Sequence, residues 1–455
     1  MEISITLTNN YPKYIQIYEQ IKKAIVTMNL SSHSKLPSKR TLAESLGVSV
    51  HTVKEAYEQL DAEGFIYSKE RSGYFVAPFE FEWQQSNNTK PPSTSIETNF
   101  SKIDIDFHNG HIDTASFPFS SWRKLYNKHF QPENLINNTS QGEPSLRYEI
   151  ANYVHRSRGV QCDPSQVFIY GGIQHQLQAI CHFFGPTISA GIEEPGFKRA
   201  RAIFTQNCLH THHIAVDELG VTVPAKKINL LYTTPAHQFP LGMVMSAERR
   251  ASLLKWALTE NAYIIEDDYD SEYRFKGLPI PSLAKMDQLQ RVIYFGTFSK
   301  TLIPTIRISY MILPITLVDA FSIFYKEQKT VVSKIDQLVL ADFISQGLYD
   351  KHIAKMRTLY RKKQQAIISS IETHLSKKFQ IIGEKSGLHI VLKLPNYLRE
   401  DEAIEKASSV GVQIYPISTS YHHPSNQPMV MIGYGGLSFE QIEKGILRLK
   451  KIWCP

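Results

Sequence analysis

Residues 292–307 read VIYFGTFSKTLIPTIR, and this stretch decides how the larger part of the chain is interpreted. Val292–Phe295 is a short apolar run of the kind that forms a buried strand. Gly296-Thr297-Phe298-Ser299 then leads to Lys300, and Arg307 lies seven residues beyond that lysine. A lysine amid hydroxyls, with an arginine nearby, suits a Schiff base to an aldehyde beside a bound phosphate.

Other apolar runs alternate with helical patterns from about Asp104 onward, which predicts a mainly parallel sheet in an α/β domain. Ligands of such sheets gather at the carboxyl ends of the strands. One run is followed by Gly171-Gly172-Ile173, where backbone N–H groups would cradle a phosphate at a helix start. Another is followed by a predicted loop, Glu266-Asp267-Asp268-Tyr269. The predicted strands are Val167–Tyr170, Ile228–Tyr232, Tyr263–Ile265 and Val292–Phe295.

Residues 78–103 are rich in Ser, Thr and Asn, contain Pro91-Pro92 and lack a hydrophobic period, which predicts a linker. It separates a first domain, residues 1–77, from a second, residues 104–455. The first domain reads as three helices and a β-hairpin, which is the plan of a winged helix-turn-helix. Ser38 and Ser49 are placed as N-caps of the second and third helices.

The third helix of this domain carries the argument for DNA binding. Its apolar stripe predicts a core face, and the residues around His51 and Thr52 would then face outward to read base edges in the major groove. A helical interaction domain is the alternative, since residues 1–77 hold nine basic and eight acidic side chains. The predicted DNA-contacting residues are Ser38, Lys39, Arg40, Ser49, His51, Thr52, Arg71 and Gly73.

The order of short motifs decides between these two readings. L-P-S-K-R begins at Leu36, L-A-x-x-L-G-V-S begins at Leu42, and T-V-x-x-A-Y-x-x-L-x-x-E-G begins at Thr52. This run resembles the GntR family of bacterial winged-helix regulators, which implies double-stranded DNA as a partner. The family usually has an arginine where this chain has Val50, so the base readout of the third helix is expected to differ.

Composition narrows the class of protein further. Hydrophobic residues make up 42% of the 455 and charged residues 20%, which excludes wholesale disorder. The four cysteines show no C-x-x-C spacing, and the histidine run 210–213 lacks a supporting carboxylate or cysteine, so neither a disulfide framework nor a metal site is predicted. No signal peptide or membrane-length apolar run is visible, so we expect a cytoplasmic protein without membrane contact.

Taken in order, the strand-end motifs of residues 104–455 resemble a fold-type I aminotransferase domain, which uses pyridoxal 5'-phosphate. The resemblance implies that Lys300 forms the internal aldimine, that Asp267 pairs with the pyridine nitrogen and that Tyr269 contacts the ring hydroxyl. Phe197 would stack on the ring. The implied cofactor-binding set is Gly172, Ile173, Phe197, His237, Asp267, Tyr269, Thr297, Ser299, Lys300 and Arg307.

A winged helix followed by such a domain is the layout of MocR/GabR-type transcriptional regulators, and residues 234–242, 266–272 and 296–310 resemble that subfamily. The resemblance implies a homodimer and a small-molecule effector. A genuine aminotransferase with an appended helix-turn-helix is the alternative, and it would turn over substrate many times. A purely structural cofactor with unregulated DNA binding also stays open.

Three departures from aminotransferases bear on this choice. Phe239 stands where an asparagine would contact the ring, and His237 or Gln238 is considered as its replacement. Asn137 replaces a tyrosine that reaches a phosphate across the dimer, and Gly436 replaces the arginine that clamps the substrate carboxylate.

The missing clamp leaves two options for the effector. In one, Arg199 or Arg201 binds the carboxylate of an amino acid, or the effector is an amine. In the other, the effector is pyridoxal phosphate itself and the protein controls vitamin B6 synthesis. The operator, the regulated genes and the direction of control do not follow from the sequence.

Overall fold

A computed structural model describes residues 5–8, 11–78, 103–136, 139–208, 210–275, 281–423 and 427–454. The chain divides into two compact units, Met1–Thr98 and Asn99–Pro455. Residues 79–102 of the predicted linker lie outside the described residues, and so does Asn137.

Serine side chains begin two of the three helices in the first unit. Ser38 Oγ accepts the backbone N–H of Thr41 at 3.1 Å, and Ser49 Oγ accepts that of Thr52 at 3.1 Å. Both N-cap predictions are therefore confirmed. The elements are α1 (Lys13–Val26), α2 (Lys39–Leu46), α3 (Val50–Ala62), β1 (Ile66–Lys69) and β2 (Gly73–Val76).

The core of this unit forms between α1 and the apolar stripe of α3. Val53, Ala56, Tyr57 and Leu60 are fully buried, as the spacing predicts. The strands β1 and β2 pair in antiparallel fashion from Ile66↔Val76 to Lys69↔Gly73. Three helices closed by this hairpin make a winged helix-turn-helix.

The second unit alternates strands and helices along the chain. Its strands are β3 (Ile105–Asp106), β4 (Val167–Tyr170), β5 (Ser189–Glu194), β6 (His210–Asp217), β7 (Gly220–Val221), β8 (Leu230–Thr233), β9 (Tyr263–Asp268), β10 (Val292–Thr297), β11 (Ser309–Ile312), β12 (Gln380–Ile382), β13 (His389–Lys393), β14 (Val412–Gln413), β15 (Tyr415–Pro416) and β16 (Met429–Gly433). Its helices are α4 (Phe119–His129), α5 (Pro144–Arg158), α6 (Ile173–Phe184), α7 (Lys198–Asn207), α8 (Ala247–Thr259), α9 (Leu283–Met286), α10 (Ile315–Phe324), α11 (Lys334–Ser345), α12 (Leu348–His374), α13 (Glu400–Ser409) and α14 (Phe439–Trp453).

The main sheet has eight strands in the order β4-β11-β10-β9-β8-β5-β6-β7. Neighbours from β10 to β6 run parallel, whereas β11 and β7 are antiparallel to theirs. Alternate residues of β10 point to opposite faces. Ile293 and Phe295 pack in the apolar cluster with α6, α7 and α10, and Tyr294 packs in the cluster with α5 and α11. Helices therefore cover both faces, and the sheet positions its strand ends at one edge.

Three of the four predicted strands have limits that differ from the prediction. β8 begins at Leu230 rather than at residue 228, and β10 continues to Thr297. β9 continues to Asp268, so the acidic residues predicted to form a loop lie within the strand. They are tolerated there because each has a partner: for example, Arg158 Nε donates to Asp268 at 2.6 Å and the Leu283 N–H donates to Glu266 at 2.8 Å.

A smaller sheet, in the order β12-β13-β16-β15, forms the carboxyl-terminal part of this unit. β3 pairs in parallel with β14. This pairing fixes the segment after β3, residues 107–112, against the glycine-rich turn that follows β16. An ideal Cβ on Gly433 would lie 2.5 Å from the Cα of Asn109, so only glycine permits this close approach.

Candidate functional site

A cavity of about 760 Å³, its mouth included, lies where β8, β9 and β10 end and α6 begins. This is the edge at which parallel sheets bind ligands. Nine of the ten residues predicted to hold a cofactor line it, and His237 does not. The lining residues are Asn109, Gly172, Ile173, Gln176, Phe197, Tyr232, Thr234, Phe239, Asp267, Tyr269, Gly296, Thr297, Ser299, Lys300 and Arg307.

Lys300 follows the end of β10 and projects into this cavity. Its Nζ donates a hydrogen bond to the backbone carbonyl of Asn109. Burial lowers the pKa of Lys300 to about 8, although the negative charge of Asp270 acts in the opposite direction. A larger share of its amine is therefore neutral near neutral pH than in an ordinary lysine, and only the neutral amine is a nucleophile.

Asp267 lies on β9, the neighbour of β10, and lines the same cavity. Its Oδ2 accepts a hydrogen bond from the hydroxyl of Tyr232. Burial raises the pKa of Asp267 to about 7, and the hydrogen bond from Tyr232 counteracts part of that rise. A cationic group placed beside this carboxylate would favour its charged form.

The neighbouring carboxylates already have basic partners. Asp268 pairs with Arg158 at 2.6 Å and Asp270 pairs with His237 at 2.9 Å. Among the residues that the structure describes, Asp267 has no basic side chain within ion-pair distance. Asp267 is therefore the carboxylate of the cavity lining that can pair with a cationic group of a ligand.

The start of α6 forms an anion-binding cradle. Gly172 caps the helix with φ 116°, and an ideal Cβ there would lie 2.3 Å from Nη2 of Arg307. That guanidinium donates to the carbonyl of Gly171 at 2.9 Å. The free N–H groups of a helix start and a nearby arginine together favour a phosphate. Ser299 and Thr297 add hydroxyl groups to the same lining.

Aromatic rings form a wall of the cavity. The ring centroids of Phe197 and Phe239 are 5.5 Å apart in an edge-to-face arrangement, and those of Phe239 and Tyr269 are 6.3 Å apart. Phe239 thus occupies the wall with an apolar ring where an asparagine is expected in an aminotransferase. Ring stacking remains available through Phe197.

His237 reaches this wall only through Tyr269. Its Nδ1 lies 2.9 Å from Asp270 Oδ2 and 3.1 Å from the hydroxyl of Tyr269, and its ring is buried. Gln238 is the less suitable replacement for the missing asparagine, because its amide nitrogen donates to Glu193 and to two backbone carbonyls. His237 is therefore placed to orient the phenol of Tyr269.

The two arginines considered for an effector differ in their contacts. Arg201 donates to the carbonyls of Thr419 and Ser420 at 2.9 and 3.3 Å, which holds that turn in place. Arg199 makes no such bond in the described residues, and its positive charge contributes to a lowered pKa of His108, which burial lowers most. Arg199 is therefore the one of the two arginines whose guanidinium is not held by the backbone carbonyls of this turn.

Gly436 lies against the segment after β3. An ideal Cβ at this position would be 2.7 Å from the Cβ of His111, so a long side chain here would displace that segment. The buried ammonium of Lys363 holds the adjacent turn instead, since it donates to Gly435 O at 2.9 Å and to Asp113 at 2.8 Å. Packing accounts for the absence of an arginine at this glycine.

Several cavity residues were not predicted from the sequence. Tyr232 reads as an apolar strand residue, and only the parallel pairing of β8 with β9 brings its hydroxyl to Asp267. Asn109 is 191 residues away from Lys300 in sequence. Gln176 is buried in the lining and its amide nitrogen lacks a hydrogen-bond partner among the described residues. Gln176 lies one turn into α6, close to the glycines of the helix start, and this position in the sequence could have predicted it as a lining residue.

In the first unit, the starts of α2 and α3 and the β1–β2 hairpin carry the residues predicted to contact DNA. Arg40 and Arg71 are exposed and form no ion pair within the described part of the unit. His51 pairs with Glu55 at 3.5 Å on the outward face of α3. Lys39 Nζ lies 5.2 Å from the ring centroid of Tyr74. The remaining predicted residues, Ser38, Ser49, Thr52 and Gly73, lie at the helix starts and on the hairpin.

Two structural features are absent from the described ranges. None of the helices there is both long enough and apolar enough to cross a membrane. Nor does any group of three or more His, Cys, Asp or Glu side chains there have an arrangement that could hold a metal ion.

Comparison with known proteins assigns a relationship to each unit. Residues 13–76 match the family of bacterial regulatory proteins of the gntR type, and residues 102–426 match aminotransferase class I and II. The chain is 44% identical to the uncharacterized HTH-type transcriptional regulator YdeL of Bacillus subtilis, over 98% of both chains.

Other relatives carry more specific names. The chain is 32% identical to the probable rhizopine catabolism regulatory protein MocR of Rhizobium meliloti, over 96% of this chain and 93% of that one. It is 27% identical to the pyridoxine biosynthesis regulator PdxR of Corynebacterium glutamicum, over 95% of both. The kynurenine aminotransferase of Pyrococcus horikoshii, solved with PMP, superposes with a TM-score of 0.70 at 25% identity, over 77% of this chain and 91% of that one.

Proposed function

This chain belongs to the MocR-type family of transcriptional regulators, and we propose that it controls DNA binding through pyridoxal phosphate held at Lys300. Its amino-terminal unit is a GntR-type winged helix, and its second unit has the aminotransferase class I and II fold. The cofactor, the effector and the residues that hold them are the content of the proposal.

The residues around the cavity fit each chemical group of pyridoxal phosphate. The cradle at the start of α6, with Arg307, Thr297 and Ser299, suits the phosphate. Asp267 suits a protonated ring nitrogen, since it is buried without a basic partner in the described residues. When bound, the cofactor supplies an electron sink and an aldehyde that reacts with amines.

Each side chain of the cavity would then have its own role in holding the cofactor. Lys300 would supply a larger share of neutral amine than an ordinary lysine, because burial lowers its pKa to about 8. Phe197 would cover one face of the ring, and Tyr269, oriented by His237 and Asp270, would donate to the ring hydroxyl. Ile173 would offer its backbone N–H to the phosphate, whereas the N–H of Gly172 donates to Ser309 Oγ at 2.9 Å and positions the turn.

The observation that carries the proposal is the combination of three features in one cavity. A lysine with a lowered pKa, a buried carboxylate without a basic partner among the described side chains, and an anion cradle are each ambiguous alone. One cavity lining thus offers a partner for each of the aldehyde, the ring nitrogen and the phosphate of a single small molecule. A surface lysine or a structural carboxylate would not account for all three.

Two effectors fit the mouth of the cavity. An amino acid would place its carboxylate at Arg199, since Gly436 provides no arginine. Alternatively pyridoxal phosphate is itself the signal, which agrees with the relative named as a pyridoxine biosynthesis regulator. We favour pyridoxal phosphate as the signal, because the packing of Gly436 against His111 removes the clamp that an amino acid would need.

Signal transfer requires DNA binding that differs between the ligand-bound and ligand-free protein. We propose a homodimer, since a two-half-site operator is read by two winged helices related by symmetry. Arg40 and Arg71, exposed and unpaired within the described residues, would contact phosphates of the double helix.

The test uses full-length protein freed of cofactor and a DNA duplex selected by that protein from a random library. Adding pyridoxal phosphate is expected to change the Kd for this duplex in the wild type and not in Lys300→Ala. An unchanged Kd in the wild type would refute pyridoxal phosphate as the signal. Measuring keto acid formed per protein molecule separates the alternative: an aminotransferase would produce many equivalents.

A further inference from the structure

Two cysteines of the second unit lie in contact although they are 27 residues apart in sequence. The Sγ atoms of Cys181, in the third turn of α6, and Cys208, at the end of α7, are 3.9 Å apart. The other two cysteines pack in different apolar clusters: Cys162 with the α5 and α11 side of the main sheet, and Cys454 beside the smaller sheet. The chain therefore contains one thiol pair in contact and two separated thiols.

The two sulfurs of the pair differ in environment. Cys181 is 1% exposed, whereas Cys208 is partly exposed. Either thiol could donate across this contact. With the buried Cys181 as the donor, the hydrogen bond lowers the pKa of Cys208 and raises that of Cys181. Burial, in contrast, raises the pKa of Cys162 to about 12. Cys208 is therefore the accessible sulfur of the pair, and Cys181 is the adjacent sulfur that could attack Cys208 after its oxidation.

We propose that Cys181 and Cys208 form a peroxide-reactive thiol pair that closes to an intramolecular disulfide. The thiolate of Cys208 attacks a peroxide oxygen, the O–O bond breaks, and Cys208 becomes a sulfenic acid while hydroxide leaves. The thiol of Cys181 then attacks the sulfenic sulfur, the S–O bond breaks and water leaves. Overall two thiols are oxidised and one hydrogen peroxide is reduced to two waters, so that atoms and electrons balance.

Closure of the pair needs only a small movement. A disulfide bond has a length of about 2.05 Å, so the sulfurs must approach by roughly 1.9 Å. Both helices pack in one apolar cluster on the same face of the main sheet, which leaves rotation of the Cys208 side chain as the easiest route. The sequence spacing alone gives no hint of this pair, because it lacks the C-x-x-C pattern.

The disulfide would join the two helices that carry opposite parts of the cavity. α6 begins at the anion cradle of Gly172 and Ile173, and α7 begins directly after Phe197. A shift of either helix therefore changes the distance between the cradle and the ring wall. This coupling to the cavity rests on the proposed function; formation of the disulfide does not.

Thiol counting tests the bond itself. Reduced full-length protein is treated with hydrogen peroxide, alkylated and analysed by mass spectrometry. Free thiols are expected to fall from four to two, with one peptide linking Cys181 to Cys208, and dithiothreitol should restore all four. Cys162→Ser should still form the link, whereas Cys181→Ser should stop at a sulfenic acid on Cys208 that dimedone traps. A link elsewhere, links between chains, or four remaining thiols would overturn the proposal.

The coupling is measured on the same samples. The Kd for pyridoxal phosphate is expected to change by about two- to thirtyfold between reduced and oxidised wild type, and to stay constant in Cys208→Ser treated alike. An equal Kd in both forms of the wild type would refute the coupling while leaving the disulfide established. Reduced protein that fails to bind pyridoxal phosphate at all would contradict the proposed function instead.

Discussion

Replacing Gly172 by alanine is expected to weaken binding of pyridoxal phosphate through one side chain, Arg307. The new Cβ would lie 2.3 Å from Nη2 of that arginine, far inside van der Waals contact. Because Nη2 is the far end of a flexible side chain, the fold can accommodate the methyl group by moving the guanidinium. That movement takes the charge away from the cradle and from Gly171 O, to which it donates at 2.9 Å.

The chain offers a matched control at the other end of the same helix. Gly185 has φ 83° and ψ 169°, and Gly172 has φ 116° and ψ 167°, so both lie in a region that only glycine adopts readily. Alanine at either position should cost about 1–3 kcal/mol of stability from backbone strain. An ideal Cβ on Gly185 meets no heavy atom within 4 Å, and Gly185 does not line the cavity, so Gly185→Ala reports the backbone strain without the displacement of Arg307.

The magnitude follows from the lost contact. A hydrogen bond to a charged group contributes about 1.5–3 kcal/mol. Gly172→Ala should therefore raise the Kd for pyridoxal phosphate by about 10- to 150-fold, whereas Gly185→Ala should leave it unchanged. Equilibrium titration of cofactor-free protein followed by absorbance measures both, and thermal unfolding checks that both variants are folded. If the two variants bind the cofactor equally well, Arg307 does not hold the phosphate.

Three further predictions concern pH, DNA and stability. Uptake of pyridoxal phosphate by cofactor-free protein should accelerate as the pH rises through about 8, since burial lowers the pKa of Lys300 to that value and only the neutral amine reacts; stopped-flow rates equal on both sides of pH 8 would contradict this. Arg40→Ala should weaken DNA binding and reduce the slope of log K against log salt by about 0.9, because one phosphate contact is lost. The control Lys23→Ala, at an exposed position on α1, should change neither quantity. An unchanged slope in Arg40→Ala would show that Arg40 does not contact a phosphate. Arg158→Met leaves Asp268 buried without its cation, so urea denaturation should show a loss of about 3–5 kcal/mol; an unaltered midpoint would show that this ion pair does not stabilise the fold.

Local chemistry is what the sequence predicts best here. Ser38 and Ser49 were predicted as N-caps because a hydroxyl before a helical pattern satisfies an N–H of the first turn, and the structure has both bonds. The buried stripe of α3 follows from its period in the same way. The parallel strands predict that their end residues gather at one edge, and the resemblance to a fold-type I aminotransferase domain implies which of them hold a cofactor.

Features that depend on contacts between distant parts of the chain could not be predicted from local sequence patterns. Glu266 and Asp268 were predicted to form a loop, since acidic side chains rarely lie in a buried strand; the backbone of α9 and Arg158, neither of them adjacent in sequence, make the burial possible. Tyr232 and Asn109 reach Asp267 and Lys300 through tertiary contacts alone.

The structure gives a packing reason for two differences from aminotransferases, at Gly436 and at Phe239. Gly436 is required by the approach of His111, and Phe239 contributes a ring to the cavity wall. Neither residue replaces the polar contact that is lost. Under the proposed function, Gly436 removes the clamp for an amino acid carboxylate, and Phe239 exchanges a polar contact to the cofactor ring for an apolar one.

The most direct measurement is the visible absorption of the purified protein after incubation with pyridoxal phosphate and removal of the excess. The wild type should retain a coloured, lysine-linked cofactor that borohydride reduction fixes to the peptide containing Lys300. Lys300→Ala should emerge colourless from the same treatment. A colourless wild type, or colour retained equally by both proteins, would contradict a ligand-sensing site built on this lysine.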